Sequence, residues 1–195
     1  AQEPPKEQTQ APRPKIVVME FEGNDYGDWK ATGEAFGKAP AHGTLASQQS
    51  VSGFLGGGLV NTYLGGDGPH GTLTSPVLTI ERKYINFLIG GGSHADETCI
   101  NLIVDGHVVR TATGKDNEKL EWHFWNVEDL QGKTARIQIV DRHSGGWGHI
   151  NIDQIEMADE AYDADMGPFD KLPDYGSLVL ALDGPACTSQ QVKSI

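Results

Sequence analysis

Polar and aromatic side chains crowd into one stretch of this chain, Asp141-Arg142-His143-Ser144-Gly145-Gly146-Trp147-Gly148-His149-Ile150-Asn151-Ile152-Asp153. Alternate residues of a β-strand share a face. A strand beginning at His149 therefore sets Ile150 and Ile152 on one face and His149, Asn151 and Asp153 on the other. The glycines flanking Trp147 place an indole on a turn, where it has little reason to enter a core. Hydrogen-bonding groups beside an aromatic plate suit a polyhydroxylated ligand, with polar groups meeting hydroxyls and the indole covering the C–H face of a sugar ring. An outer strand whose polar face is merely solvated would show the same alternation.

A second loop could join this one. Gly90-Gly91-Gly92-Ser93-His94-Ala95-Asp96-Glu97 follows an apolar strand pattern. Its glycines permit close backbone approach to a ligand, and His94 and Glu97 supply hydrogen bonds. It is no phosphate loop, because the Lys-Ser/Thr ending and a following helix are absent. A simple hairpin connection remains the alternative. The candidate carbohydrate-binding set is thus His94, Glu97, Asp141, Arg142, Trp147, His149 and Asn151, expected to converge at one end of the molecule. Asp141 beside Arg142 reads as a structural or ligand-orienting ion pair.

Metal chemistry is suggested by seven histidines. His94, His143 and His149 sit in the two loop regions, but no HExxH or His-x-His spacing accompanies them, which disfavours a catalytic zinc. Structural calcium is the better expectation. Glu20 and Glu22 on the first strand and Asp153 on the last offer the oxygen donors it takes; ordinary surface carboxylates are the alternative. No catalytic motif is present. There is no Gly-x-Ser-x-Gly elbow, and neither cysteine has a nucleophile's setting. With 27 Asp and Glu residues, some pair will always stand at a glycosidase-like spacing.

Composition narrows the partners. The formal net charge of −12 and sequence pI near 4.9 disfavour nucleic acids and anionic membranes. No apolar run approaches the ~18 residues of a membrane span, so no membrane insertion is expected. The start Ala1-Gln2-Glu3-Pro4-Pro5 reads as a mature end left by leader removal, which suggests a secreted or periplasmic protein. Cys99 and Cys187 are too far apart in sequence for a zinc motif. A disulfide between them, two unrelated thiols, or pairing of Cys187 outside the chain all stay open.

The elements that must position these residues are strands. Residues 1–15 read as a Pro/Gln-rich disordered linker. Short β patterns punctuated by glycine turns then run from Lys15–Glu22 to His149–Met157, including the hairpin signal Asp105-Gly106. Trp122 and Trp125, three apart, should face opposite sides of their strand. This pattern predicts an all-β fold, an antiparallel β-sandwich of jelly-roll, galactose-binding-like type over residues 16–158, with adjacent termini. Residues 159–195 read as an acidic connector leading into a following domain.

Three segments carry a family resemblance: Phe54-Leu55-Gly56-Gly57-Gly58-Leu59-Val60-Asn61, Tyr84 through His94, and Gly145-Gly146-Trp147-Gly148-His149-Ile150-Asn151. Together they resemble the non-catalytic N-terminal β-sandwich of bacterial levanases and related fructan hydrolases of glycoside hydrolase family 32. The resemblance implies a secreted polysaccharide-degrading context, a fructan such as levan or inulin as ligand, and an adjacent catalytic domain. The family's catalytic stretches (Trp-Met-Asn-Asp-Pro-Asn, Arg-Asp-Pro and Glu-Cys) do not occur in these residues. The expected function is a non-catalytic carbohydrate-binding accessory domain. A purely structural domain packing on the catalytic propeller, and an independent glycosidase, are the alternatives.

Overall fold

The computed structural model describes residues 13–163. The described chain is all-β, with a single short 3-10 turn at Glu128–Leu130. Its strands are β1 (Ile16–Met19), β2 (Lys30–Gly33), β3 (Val60–Asn61), β4 (Gly71–Thr74), β5 (Leu78–Thr79), β6 (Tyr84–Gly91), β7 (Thr98–Val104), β8 (His107–Ala112), β9 (Asn117–Asn126), β10 (Thr134–Asp141) and β11 (Ile150–Ala158). One sheet runs β1-β11-β6-β9 with β3 also on β11. The other runs β2-β4-β10-β7-β8 with β5 also on β10. Paired strands are antiparallel throughout.

Alternation builds the core. Ile85, Phe87 and Ile89 of β6 and Ile150 and Ile152 of β11 face Ile100, Leu102 and Val104 of β7 and Ala135, Ile137 and Ile139 of β10. Burial of this apolar surface is the main stabilising term, at roughly 1.5–3 kcal/mol for each large side chain. A bulge interrupts β11, with the register on β6 shifting between Asp153 and Glu156 and Gln154 at φ 47°. The extra residue puts Ile152 and Ile155, three apart, on the same inward face. Trp125 joins this core while Trp122 faces the other way. The hairpin at Asp105-Gly106 has positive φ at both residues, 51° and 79°, as a two-residue turn of the primed type requires.

Two expected strands are shorter or shifted. The β pattern at 27–32 moves to β2, and the pattern at 59–64 contracts to β3. In the latter, Thr62 leaves the ladder to bond its side chain and backbone to Ile150. The stretch from Ala41 to Leu59 has no period that marks it as structural, yet it forms a third layer. Val51 and Leu59, with Ala41, Phe54 and Leu55, pack on Leu88, Leu120 and Trp122 across the outer face of the first sheet.

The chain ends of the domain lie together. Arg13 pairs with Asp159 through two hydrogen bonds of 2.6 and 2.7 Å, and Lys15 reaches Glu156 at 2.7 Å. Tyr162 packs edge-on against Trp122 at 4.9 Å. Arg13, Lys15, Asp159 and Tyr162 thus make defined contacts at the edge of the sandwich. Of the linker expected over 1–15 and the connector expected over 159–195, residues 1–12 and 164–195, including Cys187, lie outside the described residues. Cys99 is buried and has no disulfide partner among the described residues, and burial pushes its thiol pKa up.

Candidate functional site

Three loops meet beyond the Asp141 end of β10. In the β7–β10 ladder Asp141 lies opposite Thr98, and the Arg142 N–H donates to the Glu97 carbonyl at 2.7 Å, extending the pairing by one rung. That rung sets the β6–β7 loop against the β10–β11 loop. His94 Nε2 then lies 3.1 Å from the Gly146 carbonyl, next to Trp147. His94 and His143 stack at 3.6 Å, 19° from parallel, and His143 Nδ1 lies 2.8 Å from a Glu97 carboxylate oxygen. Gly92 permits this closeness, since a Cβ there would run into the Trp147 carbonyl. The third loop, after β3, brings Asp67 and Tyr63.

At the centre is His149. Its Nδ1 lies 2.7 Å from Asp67 and its Nε2 3.2 Å from Glu118, so both ring nitrogens face carboxylates. Burial pulls the imidazole's pKa down, but hydrogen bonds and charge from Glu118 and Asp67 outweigh it and leave it raised. Asn151 Nδ2 and Gln48 Nε2 both donate to the second Glu118 oxygen, at 2.8 and 3.0 Å. Tyr63 stands edge-on to the imidazole at 5.0 Å, and the Trp147 indole lies over it at 5.7 Å. Trp147 is half-buried and held at φ 62°, a strained conformation for a bulky residue that the turn imposes.

Two open cavities flank the indole. One, of about 270 Å³, is lined by Ser47, Gln49, Tyr63, Asp67, Trp147 and His149. The other, of about 380 Å³, is lined by Gln49, Ser50, Asp116, Asn117, Glu118 and Trp147. Each carries carboxylates, amides or hydroxyls beside an aromatic wall, and such a lining can hydrogen-bond a polyol while covering its apolar face.

The seven sequence-derived residues therefore gather at one end, but not all face solvent. Asp141 is fully buried. It continues the inward face of Ile137 and Ile139, and burial pushes its carboxyl up to about 7. Arg142, next in an extended chain, points outward and is exposed. The expected Asp141–Arg142 ion pair is absent among the described residues, because alternation separates the two side chains. Asn151 is also fully buried and acts on Glu118. The polar face of β11 is neither solvated nor open along its length, since the Ala41–Leu59 layer covers it.

Glu118 and Asp67 were not singled out from sequence. Glu118 keeps the phase of Leu120 and Trp122 on β9, and all three are buried; a carboxylate in an apolar phase was the available signal. Asp67 sits in Gly65-Gly66-Asp67-Gly68-Pro69, which reads only as a turn.

The calcium candidates lie on the neighbouring part of β11. Asp153 is fully buried and accepts N–H bonds from Leu55 and Gln154, both at 2.7 Å. Burial, with the charges of Glu22 and Glu20, pushes its carboxyl up to about 7. Glu22 accepts from the Gly57 and Gly58 amides at 3.0–3.1 Å. Among the described residues, Glu20, Glu22 and Asp153 do not make a group whose donor atoms all lie within 4.8 Å of one another.

No family model matches the chain. Residues of this chain are 44% identical over 147 positions to ecdE of Aspergillus rugulosus, provisionally named a glycosyl hydrolase; the match covers 74% of this chain and 21% of that protein. The chain thus spans about a fifth of the length of the curated relative it matches. Solved structures with a similar chain path include the K3 cleaved adhesin domain of Lys-gingipain from Porphyromonas gingivalis, 13% identical over 73% of this chain and 99% of that one with a TM-score of 0.48. Another is TmCBM61 in complex with β-1,4-galactotriose, at 16% identity, coverage of 73% and 99%, and a TM-score of 0.45. A third is a family 35 carbohydrate-binding module from Clostridium thermocellum, at 12%, 74% and 97%, and 0.40. Among the described residues no helix is long and apolar enough to cross a membrane.

Proposed function

We propose that this domain binds carbohydrate and is an accessory part of a secreted glycoside hydrolase, without catalytic activity of its own. The observation that carries the reading is the Trp147 platform held over His149 between two polar cavities. The likeness to ecdE supports a glycoside hydrolase context, and the resemblance of three segments to levanase sandwiches supports fructan as the ligand. On this reading Trp147 stacks on a sugar ring. Asp67, Glu118 and Gln49 accept or donate hydrogen bonds to hydroxyls. Asn151 holds Glu118, and through it the imidazole, without touching ligand. Glu20, Glu22 and Asp153 would hold a calcium ion that neutralises their charge and ties β1 and the Leu55–Gly58 segment to β11. Isothermal titration with levan, inulin and fructose tests the proposal. Heat with a fructan and none with an unrelated glucan supports it; no heat, and no retention in fructan affinity gels, removes the binding claim. Fructose release by the purified chain would overturn the non-catalytic part.

One observation favours a structural reading. At the opposite end of β10 a groove of about 330 Å³, lined by Ile16, Val18, Trp29, Pro76 and Leu78, leaves Val17 43% and Val77 57% exposed. Exposed apolar side chains beside an apolar groove suit a neighbouring domain of the same polypeptide. Binding of sugar by the isolated chain would show that docking is not the domain's sole role.

A further inference from the structure

We propose that His94, Glu97 and His143 form a binding site for a borderline divalent metal ion, Zn²⁺ or one of its first-row neighbours. The site is distinct from the oxygen-rich calcium set. It does not rest on sugar binding, because nothing in its chemistry requires a glycan.

The argument begins with placement. His94 and Glu97 lie in one tight turn, closed by Glu97 N–H and Thr98 N–H donating to the His94 carbonyl at 3.2 and 2.8 Å. Thr98 Oγ1 in turn accepts the His94 N–H at 3.1 Å. A ring nitrogen of each histidine and a carboxylate oxygen of Glu97 lie within 4.8 Å of one another. Ligands about 2.0–2.2 Å from a tetrahedral zinc stand roughly 3.3–3.6 Å from each other, and the stacked rings of His94 and His143 must turn out of parallel for their in-plane lone pairs to meet on one ion.

The pocket for His143 is built. A Cβ on Gly145 would lie 2.5 Å from His143 Nε2 and 3.3–3.4 Å from the adjoining ring carbons. Only glycine lets the ring lie there. In that position His143 turns Nδ1 toward Glu97, 2.8 Å away. The histidine therefore turns a defined nitrogen to the carboxylate. A metal ion would replace the proton shared along that line.

Donor chemistry selects the ion. Two imidazole nitrogens and one carboxylate oxygen match the His₂Glu ligand type found around zinc, and differ from the all-oxygen sets of calcium and magnesium. Glu97 is exposed and the histidines are half-buried, so water can complete the coordination. The net charge of −12 favours cation capture. A bound ion would join the β6–β7 turn to the β10–β11 turn and thereby order the rim on which Trp147 stands.

The test is a titration of the full chain with Co²⁺ and Zn²⁺, in excess Ca²⁺ and after alkylation of accessible thiols. One equivalent of Co²⁺ should bind with the visible absorption of a four- or five-coordinate ion and no thiolate band. Glu97→Gln, His94→Gln and His143→Gln should each weaken binding by about tenfold or more. Uptake equal to that of the His94→Gln/His143→Gln double variant would overturn the proposal. Should those variants misfold, diethyl pyrocarbonate labelling of the wild-type chain decides. Zn²⁺ should protect His94 and His143 from modification, and equal labelling with and without Zn²⁺ would overturn it.

Discussion

The Trp147 indole lies over the His149 imidazole, with ring centroids 5.7 Å apart and planes 28° from parallel. The platform thus rests on a buried ring, which is itself fixed at both nitrogens by carboxylates. A half-buried aromatic with so firm a base loses little conformational freedom when a ligand stacks on it.

Trp147→Ala should weaken sugar binding by about 1–3 kcal/mol, the scale of a lost aromatic contact with its buried area. Its melting temperature should stay close to that of the parent, because the indole belongs to a loop and not to the core. Calorimetric titration paired with thermal melts checks both halves; a collapsed fold would make Trp147 a core residue.

Removal of Glu118 should act differently. Glu118→Ala leaves His149 Nε2 and Asn151 Nδ2 without their Glu118 partner in a buried setting, and breaking such a network costs about 3–5 kcal/mol. Glu118→Gln keeps the shape and one acceptor oxygen and should lose clearly less. Urea unfolding of the two variants should separate them in that order.

Stability should fall as pH rises. Asp141 and Asp153 have carboxyls raised by burial to about 7. An acid whose pKa is higher folded than unfolded stabilises the fold fully below its unfolded value of about 3.9 and loses that contribution as pH climbs through the folded value. His149, raised by Glu118 and Asp67 against the effect of burial, works in the same sense on deprotonation. Melting temperature in chelator should therefore be higher at about pH 5 than at about pH 8. Calcium, on the site proposed around Asp153, should restore more at the higher pH. Asp153→Asn should flatten the profile and abolish that restoration.

Gly92→Ala should injure the fold and the site together. Its added carbon meets the Trp147 carbonyl, a backbone atom that cannot swing aside. A loss of about 1–3 kcal/mol follows from forcing the loops apart, and sugar binding should weaken along with it. Equal binding by Gly92→Ala and the parent would show that the two loops need not meet.

Much of the scaffold was legible because alternation and turn chemistry are local. The Asp105-Gly106 hairpin, the apolar phases of β6, β7 and β10, and the opposite facing of Trp122 and Trp125 all follow from period two and from the residues that accept positive φ. Trp147 between glycines also declared itself a loop aromatic. The burial of Asn151 and Asp153 did not, because it depends on the Ala41–Leu59 layer, which has no period of its own. Glu118 escaped for the same reason, since its partners His149, Asn151 and Gln48 come from other parts of the chain.

By itself, then, the sequence determined an all-β sandwich, the inward faces of its main strands, and an aromatic-bearing turn beside a polar strand. Tertiary structure alone decided which polar groups would be buried, that Asp141 and Arg142 would part to opposite sides, and that His94, Glu97 and His143 would meet across two loops. The physical reason is range. Backbone geometry acts between neighbours and can be read residue by residue. Desolvation and hydrogen-bond pairing of the side chains depend on which distant segment comes to cover them, and that is settled only when the sheets have closed.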